Sequence, residues 1–222
     1  MPRTSTARSD AIMTAARLFH QQGYHGTGLA QVLAESGAPK GSFYFHFPGG
    51  KEQLAVEAVH AASATVEALI ADAAKRASDA PDVVRRAGAA IARWMEESDF
   101  QQGCAVATLA AEAAATSPPL RKACQTAYAR WRRLLAQALC QHGIPRARAR
   151  ELATLTVAAI EGATLIARTE RRTDAVTTVT AALAAQIHRT GRDCSDRHAD
   201  PKGHPVPIAA RRAGGGVVAG RN

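Results

Sequence analysis

Between Lys40 and Phe47 the chain reads KGSFYFHF, and most of these side chains suit recognition chemistry better than bond-making. Lys40 supplies an amine, Ser42 and Tyr44 supply hydroxyls, His46 an imidazole and Phe45 an apolar ring. In the major groove an amine donates to guanine O6 or N7, a serine hydroxyl donates or accepts, and a phenyl ring presses a thymine methyl. Lys40, Ser42 and Phe45 are therefore candidates for base contact, and Gly41, without a side chain, lets the backbone come close. Thr27, Tyr44, His46 and Lys51 are candidates for the phosphates, where contacts set position rather than sequence. For His46 a partly buried structural role stands beside this reading. For Lys51 the other reading is a solvated helix start.

These groups need a short rod to carry them. Leu29, Val32 and Leu33 give one apolar face, Gly37 a C-terminal stop, and Pro39 suits the first turn of the next helix. The spacing predicts a helix of about two turns from Pro39 to roughly Phe47, with Phe43 and Phe47 turned to the core and the polar residues outward. A preceding helix, capped by Ser9 or Asp10 and running to about Gln22, carries Ile12, Ala15, Ala16 and Phe19 on its buried face. Together they predict a three-helix head over residues 9–50, preceded by a flexible basic arm at 1–8.

The stretch TGLAQVLAESGAPKGSFYFHFPGGKEQL resembles the head of TetR-type repressors. The match rests on Gly37, Lys40, Gly41, Ser42, Phe43, Tyr44, His46, Phe47, Lys51 and Glu52, all in order. The extra glycine in Phe47-Pro48-Gly49-Gly50-Lys51 and the later Gly103-Cys104 followed by VATLAAEAA resemble the LmrA/YxaF subgroup. The resemblance implies an all-α protein of about nine helices that binds a palindromic operator in double-stranded DNA as a homodimer. It also implies release by a small-molecule effector held among the C-terminal helices. Trp94, Met95, Phe100, Cys104, Thr108, Tyr128, Trp131 and Glu161 come from the helices that this resemblance sets around a central space; the other reading is that the Trp and Met side chains are ordinary core and Cys104 an inert small apolar residue. Glu161 lies within an apolar helix, where its carboxylate needs a partner: either a cationic or polar effector, or a group across a dimer seam.

A helical regulatory and dimerisation domain is expected over residues 51–190. Its long first helix runs from Lys51 to about Ala77, and further helices run to about Ser98, over 104–115, from about Leu120 to Gln141, from Pro145 to about Arg168, and from Thr173 or Asp174 to near Thr190. Breaks at Ser78-Asp79-Ala80-Pro81, Ser117-Pro118-Pro119 and Gly143 separate them. The last two helices are the expected dimer surface, through Val157, Ile160, Thr164, Val176, Val179, Leu183 and Ile187; the other reading is that both are core helices of a monomer. Residues 191–222, rich in Gly, Pro and Arg, are expected to be a disordered basic tail.

The chain has 222 residues and a formal charge of +9. Residues 1–51 hold five Lys/Arg against two acids, 52–190 seventeen against fourteen, and 191–222 six against three, so the surplus is densest at the two ends. A polyanionic partner fits that distribution. Cys104, Cys124, Cys140 and Cys194 lie too far apart for a C-x-x-C clamp, and no secretory leader is apparent, so a reducing cytoplasm is expected. Cys194, His198 and His204 match no common metal spacing, and neither metal nor cofactor is expected. No unbroken apolar run approaches the roughly 20 residues that span a bilayer. H-E-x-x-H, phosphate-loop and G-x-S-x-G motifs are missing, which argues against an enzyme. The rival class is an architectural DNA-binding protein whose C-terminal half only dimerises.

Overall fold

A computed structural model describes residues 3–198, and these form nine α-helices. The head comprises α1 (Arg3–Gly26), α2 (Leu29–Ser36) and α3 (Lys40–His46). The remainder comprises α4 (Gly50–Arg76), α5 (Ala80–Glu97), α6 (Ala105–Ala113), α7 (Pro118–Gln141), α8 (Arg146–Glu170) and α9 (Asp174–His198). Strand is absent among the described residues, as an all-α pattern requires.

Most boundaries lie where local chemistry demands them. Gly37 closes α2 at φ 65°, a conformation that costs a side-chain-bearing residue about 1–2 kcal/mol. Asp79 caps α5 by accepting from the Asp82 N–H at 2.7 Å, with Pro81 in the first turn. Ser117 caps α7 through the Leu120 N–H at 3.2 Å, and Pro118 and Pro119 follow it. Cys104 heads α6, its Sγ accepting from the Ala107 N–H at 3.4 Å.

Several boundaries differ from the sequence reading, among them the end of α1, which runs to Gly26 with a kink at Gly23, and Pro145, which is the cap of α8 and not its first residue. α1 starts at Arg3, so Ser9 and Asp10 lie inside it and residues 3–8 are helical rather than a loose arm. Tertiary contacts hold that extension: Arg8 pairs with Glu57 of α4 at 2.7 Å, and its guanidinium lies 5.5 Å from the centre of the Phe47 ring. α9 continues to His198, past the expected end near Thr190. Pro39 is the extended cap of α3, not its first helical residue. The remainder of the expected tail, with His204, lies outside the described residues.

The main core runs through both halves. Phe19, Leu18 and Val32 of the head join Leu54 and Val59 of α4, which continue into Leu109, Leu120, Leu139 and Leu152. α4 packs along α1 and α7, and Trp131 on α7 donates its indole N–H to Ser63 Oγ on α4 at 3.1 Å. A smaller cluster of Met95, Ala163, Ala167 and Val176 joins α5, α8 and α9. α4 and α8 are also long and apolar enough in composition to cross a bilayer, which counting unbroken apolar runs did not reveal. Both are packed on neighbouring helices, α4 on α1 and α7, α8 on α7 and α9.

Candidate nucleic-acid interface

α3 is anchored by one face and open on the other. Phe43 and Phe47 are each 1% exposed with ring centres 5.0 Å apart, packed into the main core. Opposite them Phe45 is 81% and Tyr44 47% exposed, beside the exposed Lys40 and Gly41 and the half-buried Ser42. Around Gly41 the space where a Cβ would lie is open, so nothing in the chain shields the backbone there. The Phe43 N–H donates to the Pro39 carbonyl at 3.0 Å and the Phe47 N–H to the Phe43 carbonyl at 2.8 Å, so the rod is hydrogen-bonded from cap to cap. The division between an inward Phe43/Phe47 pair and an outward polar face matches the sequence reading except at His46, which is half-buried.

The phosphate candidates divide. Lys51, in the first turn of α4, holds its ammonium 4.5 Å from the centre of the Tyr24 ring, a cation–π seat at the head's margin. Burial lowers its pKa, while Glu112 acts to keep it charged. Thr27 departs from expectation. It is 1% exposed and its hydroxyl donates to the Gly23 carbonyl at 2.7 Å, so it braces the α1–α2 turn and does not reach a phosphate. His46 is half-buried, and its Nε2 is shielded from solvent without a protein partner, so Nε2 is not a phosphate donor.

Comparison with known proteins agrees with this geometry. Residues 11–58 match the model of the bacterial regulatory proteins, tetR family, and residues 80–182 that of the transcriptional regulator LmrA/YxaF-like, C-terminal domain. The chain is 41% identical to the HTH-type transcriptional regulator LmrA of Bacillus subtilis over 165 residues, covering 74% of this chain and 88% of that one. It is 37% identical to the HTH-type regulator YxaF of the same organism over 77% of this chain and 90% of that one. This chain belongs to the TetR family, in the LmrA/YxaF-like group. A TetR transcriptional regulator of Chloroflexus aurantiacus superimposes with a TM-score of 0.72 at 28% identity over 86% of this chain and 98% of that one. A regulatory protein TetR of Rhodobacter sphaeroides gives 0.72 at 25% identity over 81% and 97%. The TetR family is one of DNA-binding transcription regulators and is not an enzyme class.

The eight effector candidates of this TetR-family regulator fall into three groups. Cys104, Tyr128 and Glu161 form a polar cluster, close enough that the Glu161 charge acts on both the Cys104 thiol and the Tyr128 hydroxyl. Burial raises the pKa of the Glu161 carboxyl; burial and then the Glu161 charge push the Cys104 thiol far above its usual range. Burial and the same neighbours raise Tyr128, and burial pushes Cys124 up to about 11. These thiols are therefore held as neutral groups, not reactive thiolates. Trp94, Met95 and Phe100 belong instead to the smaller cluster with α8 and α9. Thr108 donates to the Cys104 carbonyl at 3.0 Å, and Trp131 is 3% exposed with its N–H satisfied by Ser63, so both are committed to holding the fold.

Four of the seven expected dimer residues of the regulator turn inward and three are partly exposed. Val176 and Ile187 are fully buried in their own subunit, Leu183 and Thr164 nearly so, and Val157, Ile160 and Val179 pack partly buried on the core. The outward apolar strip belongs to other positions of α8: Leu155, Leu165 and Ile166, 42%, 66% and 48% exposed, with the small exposed Ala158 and Gly162 between them. On α9 the outward face holds Thr178, Ala181, Ala182 and Ala185. α8 is apolar on most of its circumference, so its sequence does not set which side meets its own subunit.

Three residues that join the halves escaped the sequence reading: His20, Glu112 and Arg168. His20 is largely buried, its ring edge-on to Trp94 at 5.6 Å, and its Nδ1 has no hydrogen-bond partner. Burial holds its pKa down at about 4, with the nearby Arg168 charge adding to the effect against a backbone hydrogen bond at Gly103. No local pattern marks these residues, because their partners are distant in the chain.

Proposed function

We propose that this regulator represses transcription by binding a palindromic operator as a homodimer in the cytoplasm, and that a small molecule in the helical domain releases it. The observation that carries the reading is α3, a short helix fastened by Phe43 and Phe47 that offers Lys40, Ser42, Tyr44 and Phe45 to solvent. Lys40, Ser42 and Phe45 read base edges; Tyr44 and Lys51 hold the flanking phosphates. One such helix reads only a few base pairs, so two heads on half-sites about one turn of DNA or more apart supply the selectivity. The apolar strip of Leu155, Leu165 and Ile166 supports pairing by a two-fold axis through α8, with α9 alongside.

The effector's polar contacts in this reading are Cys104, Tyr128 and Glu161, with Trp94, Met95 and Phe100 as an apolar neighbourhood. An effector releases DNA only by binding better to the dimer whose heads are wrongly spaced. α4, which runs from Lys51 into the regulatory core, transmits the change. The test is selection from a pool of random-sequence duplexes by the purified protein, followed by footprinting. One palindrome protected by a dimer is the expected result; uniform coating with steep salt dependence would overturn the reading in favour of an architectural protein.

A further inference from the structure

The turn that joins α1 to α2 is completed by side chains of the other domain. Gly23, inside the span of α1, stands at φ 77° and ψ 178° and breaks that helix, so the chain from Gly23 to Gly28 forms the turn into α2. In an unbroken helix the His25 N–H would face the Gln21 carbonyl four residues back. Gly23 lies between these two groups, and each is met by a charged side chain of matching polarity. Glu112 Oε2 on α6 accepts from the His25 N–H at 3.0 Å, and Arg168 Nη2 on α8 donates to the Gln21 carbonyl at 3.1 Å. The carboxylate of Glu112 also occupies the space where a Cβ at Gly23 would stand.

The same turn carries parts of the interface. The Gly23 carbonyl accepts from Thr27, directly before α2, and the Tyr24 ring seats Lys51. A shift of the turn therefore moves both the entry to the helix-turn-helix and a phosphate contact. We infer that Glu112 and Arg168 are positioning residues for DNA recognition: from the regulatory domain they hold the α1–α2 turn, and through it α3 and Lys51, in the arrangement that meets the groove. The inference rests on the DNA-binding reading above.

The probe is the duplex that the wild-type protein selects from a random pool, so a wild type that selects nothing reveals failure of the underlying reading before any variant is made. Glu112→Ala and Arg168→Ala should each weaken binding to that duplex about tenfold, the order expected for losing a charge-assisted hydrogen bond. Binding to an unrelated duplex should fall less than binding to the selected one, because of the contacts made there only the Lys51 phosphate contact depends on the turn. Glu112→Gln keeps an acceptor and Arg168→Lys keeps a donor, and both should recover most of the affinity. The double alanine variant should lose less than the product of the two single losses, since both act on one turn. Unchanged affinity in both alanine variants, equal loss on selected and unrelated duplexes, or a tighter Glu112→Ala complex would overturn the inference. So would a loss that tracks a lowered thermal midpoint and that Gln and Lys do not restore, since that pattern marks a purely structural role.

Discussion

Phe45 and Tyr44 stand side by side on α3, and their exposure carries opposite meanings. A lone exposed ring is ordinary on a protein surface, but Phe45 at 81% sits between polar donors on a helix pinned by two buried rings, where only a docked partner covers it. Tyr44 ends in a hydroxyl suited to a phosphate. Tyr44→Phe should therefore weaken binding to every duplex alike, by about threefold to tenfold, whereas Lys40→Ala should also blur base preference at the half-site. Equal effects of both on all sequences, measured by competition binding, would refute this division of labour. His20 makes a separate prediction about acid. Its folded pKa of about 4 lies below the ordinary 6.5, so between those values the unfolded chain takes up a proton that the folded chain refuses. Stability from the neutral ring is complete above the upper value, falls as acid is added, and levels off below the lower one, a loss of up to about 3 kcal/mol. Glu161, raised by burial, slopes the other way, so the readout is the difference between wild type and His20→Gln in thermal midpoint from about pH 7 to about pH 5. Parallel curves would exclude His20 as the source.

Helix ends in this chain are local events, which is why most were legible. Gly37, Asp79-Ala80-Pro81, Ser117-Pro118-Pro119 and Gly143 each punctuate through their own backbone preference, and the breaks follow them. The exceptions are ends fixed from outside. α1 extends to Arg3, with Arg8 of that extension held by Glu57 and Phe47, partners dozens of residues away. Ser117 combines both kinds of contact: its hydroxyl accepts from Leu120, capping α7, and donates to Glu52 Oε1 of α4 at 2.6 Å. Ser117→Ala should cost about 1–2 kcal/mol. In a chain of this size that lowers the thermal midpoint by about 2–4 °C per kcal/mol. A midpoint equal to wild type in scanning calorimetry would show that neither contact contributes to stability.

At the scale of the whole molecule, α8 and α9 separate what a subunit needs from what a pair needs. Val176 is fully buried between α5, α8 and α9, so Val176→Ala should destabilise the subunit by about 2 kcal/mol in chemical denaturation. Leu165 is 66% exposed on the outward strip, so Leu165→Glu should leave helicity intact, yield a monomer by light scattering, and weaken operator binding at least about tenfold because two half-sites are no longer held together. A dimeric Leu165→Glu protein would move the interface elsewhere. By itself the sequence determined the all-helical class, nearly every helix, the recognition rod with its inward phenylalanines and outward donors, and the family, since these follow from spacing, caps and motif order within a few turns of chain. Only the tertiary structure decided that Thr27 is a brace, that Thr164, Val176, Leu183 and Ile187 are core, and that Glu112 and Arg168 finish the head's first turn. Those facts depend on the rotation of one helix against another and on contacts as much as 147 residues apart, which no local pattern encodes.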